Sequence, residues 1–198
     1  NALAIKGLAD IGRVQNRSDY VEAASEGIDY LKSIHWKSNR LLATSRDGKA
    51  HLDAYLDDYA FLIEALLSLL SARWRTEDLD FAIELSDTML ELFEDSTDGG
   101  FYFTSNEHES LIHRNKPYGD DALPTGNGAA IRSLMELGFL LGESRYLSTA
   151  EKALKASMTD AGKWPSAHST LMRALQDHTK PPTRVILRTR EGADASPW

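Results

Sequence analysis

The sequence predicts an all-α fold built of antiparallel helical hairpins and arranged as part of an α/α toroid. Three observations predict it. Strongly apolar helical segments alternate with amphipathic ones along the 198 residues, the pattern of inner helices enclosed on every side and outer helices with one wet face. Links from apolar to amphipathic segments are short, around Asn16-Arg17, Arg75 and Gly142-Glu143, whereas the return links, 35–53 and 95–126, are long. The chain also repeats itself. A shift of 126 residues lays Asn1 on Asn127, Ala4 on Ala130, Ile5 on Ile131, Leu8 on Leu134, Gly12 on Gly138, Ser18 on Ser144 and Tyr20 on Tyr146. A weaker match at a shift of 58 places Leu8 on Leu66 and Ala24 on Ala82. Solenoid repeats usually run ~34–47 residues with short loops. Spacings near 60, with hairpin-bearing loops gathered at one end, favour the ring.

In order, residues 2–15 are apolar almost all round, interrupted by Lys6, Asp10 and Arg13, and read as a buried helix that Asn1 is placed to cap. Ser18 caps an amphipathic helix over about 19–34, with Tyr20, Ala24, Ile28 and Leu31 on its inner face. Two extended runs within 40–52 flank Asp47-Gly48, a dipeptide favoured in tight hairpin turns. A third helix, about 54–74, is apolar nearly all round after a polar first turn. Thr76 caps a fourth, about 77–94, with Glu84, Asp87, Glu91 and Glu94 on its wet face. Then comes the long loop 98–129, polar and aromatic, with Phe101, Tyr102, Phe103, Leu111, Ile112 and Tyr118 as apolar anchors. A connection of this length inside a domain marks a working surface. A fifth helix, 127–141, is almost uncharged; Ser144 caps a sixth, about 145–158; a seventh spans about 166–177. Pro181-Pro182 ends it, and 184–188 reads as a strand. Residues 1–180 therefore form about three and a half hairpins of a larger ring, and 181–198 a tail continuing beyond it.

Hydrophobic content of 42% and charged content of 26% are those of a water-soluble domain. A net charge of −8 argues against nucleic acid or anionic membrane as partners. No apolar run approaches the ~20 residues of a membrane span, and no signal-peptide pattern opens the sequence. The expected location is cytoplasmic. The absence of cysteine excludes thiol chemistry and thiolate metal sites within this chain.

The runs DGKAHLDAYLDDYAFLIEALL, DGGFYFTSNEHESLIHRNKPYGDDALPTGNGAA, LGESRYLSTAEKAL and KWPSAHSTLMRAL resemble the YyaL family, also called the spermatogenesis-associated protein 20 family. The resemblance covers nearly the whole chain. It implies the later half of an (α/α)6 toroid related to the six-hairpin glycosidases and sugar 2-epimerases. It also implies a thioredoxin-like domain elsewhere in the full-length protein as this segment's partner. It implies no particular activity.

Two functions fit the loop face. One is a carbohydrate site working by acid–base chemistry, hydrolysis or epimerisation, with a saccharide as ligand. The other is a non-catalytic ligand- or protein-binding platform for the thioredoxin-like domain. Glycoside hydrolysis needs two carboxyls some 5–10 Å apart, and Asp57 or Asp58 with Asp120 or Asp121 would supply them if both loops meet at the mouth. Asp121 is the candidate acid, and Asp57 or Asp58 the base or nucleophile. The plainer reading of Asp57 and Asp58 is first-turn capping. His168 is the candidate proton shuttle. Its Trp164-x-x-x-His168 spacing is similar to that of sugar 2-epimerases, although their second His has no counterpart beyond His51, upstream of the third helix. Tyr55, Tyr59, Tyr102, Tyr118 and Trp164 are candidates to stack on sugar rings, the plainer reading for about half of them being the core. Arg46, His51, Lys116, Asp120 and Asn127 complete the candidate binding set. Glu107, His108, Glu109 and His113 look like metal ligands, but the two His are five apart rather than at helical i, i+4 spacing. No metal and no cofactor are expected.

Overall fold

The computed structural model describes residues 1–109, 112–181 and 183. Seven α-helices are found among them: α1 (Ala2–Gln15), α2 (Ser18–His35), α3 (Leu56–Ala72), α4 (Thr76–Phe93), α5 (Gly126–Leu141), α6 (Ser144–Ala161) and α7 (Ser169–Thr179). A small antiparallel sheet of β1 (Trp36–Lys37), β2 (Arg40–Arg46) and β3 (Lys49–Asp53) follows α2. The predicted hairpin is present, pairing Arg46 with Lys49 across Asp47 and Gly48. Both turn residues have positive φ, 52° and 73°, as a two-residue turn matched to strand twist requires. The strand expected at 184–188 and the anchor Leu111 lie outside the described residues.

The helices pair as α1·α2, α3·α4 and α5·α6, and the odd-numbered helices pack side by side as α1·α3·α5·α7. This is the inner-and-outer arrangement that the alternating hydrophobicity predicts. α3 is enclosed by α1, α4 and α5, so Leu56, Leu62, Ile63, Leu66 and Leu69 are all buried. Enclosure of such leucine and isoleucine side chains contributes about 1.5–3 kcal/mol each. α1 departs from expectation. Only Ile5, Ala9 and Gly12 are buried on it, while Ile11 and Val14 are exposed. The cause is that α1 is packed mainly by α2 and α3 and is covered on part of its surface only. One ion-pair bridge crosses the inner layer: Arg132 on α5 meets Glu64 on α3 at 2.8 Å and Asp177 on α7 at 3.1 Å.

Helix starts fall close to the predicted ones, but the caps differ. Ser18, Thr76 and Ser144 are first helical residues, preceded by Arg17, Arg75 and Glu143. Only the last of these three helices gains a side-chain cap, Glu143 accepting from the Arg145 N–H at 3.0 Å. Asn1 makes no side-chain cap either.

Both long links leave an outer helix and enter an inner one, so they lie at the end where α3, α5 and α7 begin.

Candidate functional site

A cavity of about 390 Å³ opens at this end, between the starts of α1 and α3, the end of α2, strand β2 and the long loop. Leu31, Leu42, Ala43, Phe61, Phe103 and Leu123 supply much of its apolar wall. Its polar lining comes from Asn1, His35, Tyr55, Asp57 and Asp58.

Asp57 and Asp58 reach the cavity because they occupy the first turn of α3. Their roles differ. Asp58 Oδ2 accepts the Tyr55 N–H at 2.9 Å, closing a capping box at the helix start. Burial raises its proton affinity, partly opposed by that hydrogen bond. Asp57 has no such anchor: its Oδ1 is buried and makes no hydrogen bond. Burial first, and the neighbouring Asp58 charge second, push the Asp57 carboxyl up to about 6. The N–H of Gly126, at the start of α5, pulls part of the way back without bonding to Oδ1. A β-carbon at Gly126 would collide with that same oxygen, so a glycine there is what lets the carboxyl lie against α5.

Tyr55 stacks on Phe103 with ring centroids 4.8 Å apart and on His108 at 5.2 Å, at the cavity edge. His35 is a wall residue that sequence reasoning missed, since it ends a surface helix. Its Nδ1 lies 2.7 Å from the Leu42 carbonyl and its Nε2 3.1 Å from Ser45 Oγ, which uses both nitrogens. Phe103 and Leu123 were missed as wall residues too. Only the course of the long loop brings them beside α3.

The other sequence candidates are placed elsewhere. Tyr59 is 1% exposed, its hydroxyl accepting the Leu41 N–H at 2.8 Å; it is a core residue that ties β2 to α3. Asn127 is fully buried. Its Oδ1 accepts the Phe101 N–H at 2.7 Å, and its Nδ2 donates to the Phe101 and Pro117 carbonyls, both at 2.9 Å. Asp120 accepts from the Thr125 N–H at 2.9 Å, the Thr170 N–H at 2.8 Å and Ser169 Oγ at 2.6 Å. Burial opposes its charge, yet those bonds hold the carboxyl below the usual range. Lys116 donates to Asp95 Oδ2 at 2.7 Å and to the Gly99 carbonyl at 3.1 Å. The Tyr102 hydroxyl donates to the same Asp95 oxygen at 2.8 Å. The polar atoms of all five meet backbone and side chains of the chain itself: Asn127, Asp120, Lys116 and Tyr102 hold the long loop, and Tyr59 holds β2 against α3.

Asp121 is exposed and off the cavity wall, its backbone N–H donating to Leu123. His168 is buried where α7 begins, with Nδ1 2.8 Å from the Trp164 carbonyl, and Trp164 is 70% exposed. Arg46 and His51 are exposed on the hairpin, Arg46 lying 3.8 Å from Asp47. The structure thus brings Tyr55, Asp57 and Asp58 together and leaves Asp121, His168, Arg46, His51 and Trp164 off the cavity lining. Among the described residues no group of three His, Asp or Glu is placed to hold a metal ion. Nor is any described helix long and apolar enough to cross a membrane.

Known proteins agree with this architecture. The chain is 27% identical to spermatogenesis-associated protein 20 of Homo sapiens, over 94% of its own length and 25% of that protein. The Rattus norvegicus protein of that name matches at 27% over the same shares. The chain therefore spans about a quarter of the length of these curated relatives. No family model matches it. Among solved structures, a GH76 α-mannanase of Bacteroides thetaiotaomicron superposes with a TM-score of 0.69 at 16% identity, covering 90% of this chain and 52% of that one. Homologues named spermatogenesis-associated protein 20 bear out the resemblance read from the residues, and the mannanase bears out the α/α toroid fold.

Proposed function

We propose that this segment supplies part of a carbohydrate-active site at the loop face of an α/α toroid, with Asp57 as its acid–base group. The observation that carries the reading is the state of Asp57: on a cavity wall, with a buried oxygen free of hydrogen bonds and a proton affinity raised to about 6. A carboxyl that holds its proton near neutral pH can deliver it to the departing oxygen of a glycosidic bond. Asp58, one residue on and anchored by its cap, is the second carboxyl. The fold likeness to an α-mannanase makes α-mannosides the first substrates to try. The test is release of reducing ends from α-manno-oligosaccharides by the intact protein. Activity that falls by ~10²-fold or more in Asp57→Asn, with binding retained, supports general acid–base use of this carboxyl. Binding without turnover, unchanged in the variant, would reject it.

One observation favours a second reading, a binding platform without chemistry. Tyr59, Tyr102, Lys116, Asp120 and Asn127 are all committed to internal bonds. This leaves few side chains to grip a substrate. In that case the face would dock the thioredoxin-like domain that the family resemblance implies, and the Asp57 variant would weaken domain association instead.

A further inference from the structure

We infer that the cavity beside Asp57 takes the apolar substituent of a glycoside, an alkyl or aryl aglycone, rather than a bare sugar ring. The inference rests on the carbohydrate reading above and narrows it. A pyranose carries hydroxyls around most of its rim, and each one taken out of water needs a partner. This cavity offers little to meet them. His35 has both nitrogens engaged by Leu42 and Ser45. Asp58 has one oxygen committed to the Tyr55 N–H. Asn1 and Tyr55 are exposed at the edge. Apart from Asn1 and Tyr55 at the exposed edge, open hydrogen-bonding capacity is gathered at the neighbouring carboxyls of Asp57 and Asp58, while Leu31, Leu42, Ala43, Phe61, Phe103 and Leu123 line the remaining space. A volume of about 390 Å³ lies within the range of ligand-sized sites. A chemical group that matches has one polar atom at the Asp57 end and a hydrocarbon body beyond it. The glycosidic oxygen of an alkyl or aryl glycoside, with its aglycone in the cavity and its sugar outside, has that form.

Isothermal titration of the intact protein with methyl α-mannoside, hexyl α-mannoside and hexanol tests this. The expected result is that hexyl α-mannoside binds at least tenfold more tightly than either other probe, with a negative heat-capacity change. Leu123→Ser at the exposed lip and Ala43→Phe into the cavity should each cut that preference several-fold. Leu123 is 54% exposed, so its variant should fold even if the Ala43 variant does not. Equal binding of methyl and hexyl mannosides would overturn this inference and leave the carbohydrate reading standing. So would a preference that Leu123→Ser does not change. If neither glycoside binds, or hexanol alone binds as well as the hexyl mannoside, the carbohydrate reading falls and this one with it.

Discussion

The start of α3 and the long loop before α5 both hold carboxylates taken partly or wholly out of water, yet they use them in opposite ways. Around the loop, Asp95 accepts from the Thr97 and Asp98 N–H groups, Tyr102 and Lys116. Asp120 likewise takes three donors. At α3, Asp57 keeps a buried Oδ1 that accepts no hydrogen bond, and the Gly126 N–H offsets the cost of burial only in part. Burial is common to both regions; hydrogen bonding decides the outcome, drawing Asp95 and Asp120 below the ordinary carboxylate range and leaving Asp57 above it. A dense cluster of functional-looking residues can therefore be scaffold. The candidate site lies where polar capacity has not been used.

The sharpest break of this comparison is Asn127→Ala, which strips three buried hydrogen bonds from the loop. We expect a loss of roughly 3 kcal/mol in urea unfolding. Asp95→Asn should follow at about 2 kcal/mol. Its pH dependence is also fixed in sign. Asp95 is depressed in the folded state, so its contribution is complete above its unfolded value of 3.8 and fades as the pH falls below that. The wild-type chain should lose more stability than the variant between pH 5 and pH 2.

Asp57→Asn should act in the other direction. Because the folded carboxyl is raised to about 6 from 3.8, the wild type loses stability as the pH rises between those values and no more above. With allowance for partial solvent screening, the variant should be more stable at pH 7 by on the order of 1 kcal/mol, and unchanged at pH 3.5. Thermal melts at the two pH values check it. Asp121→Asn, on the exposed loop, should change stability by no more than ~0.5 kcal/mol.

Much of the fold was legible in the sequence because it is a matter of periodicity. The leucines of α3 repeat on every face, those of α2 and α4 on one, and hairpin pairing follows. Asp47-Gly48 announced its turn chemically. The site was legible only in part. Asp57 and Asp58, which line the cavity, stood out in the sequence because charge at the start of an apolar helix is conspicuous. Asn127, Asp120 and Lys116 looked equally active, and only their hydrogen-bond partners, up to 50 residues away in sequence, show that they bind the loop together. His35 and Phe103 were invisible as site residues for the complementary reason: their place on the wall is set by tertiary packing, not by local pattern.

Asp57 stands apart as a half-buried carboxyl whose Oδ1 is buried and accepts no hydrogen bond. Carbon-detected NMR titration of the aspartate side chains measures this directly, with Asp57→Asn to assign the resonance. The expected midpoint is near 6 for Asp57, above those of Asp95 and Asp120. A midpoint at or below the ordinary aspartate value of about 3.9 would contradict it.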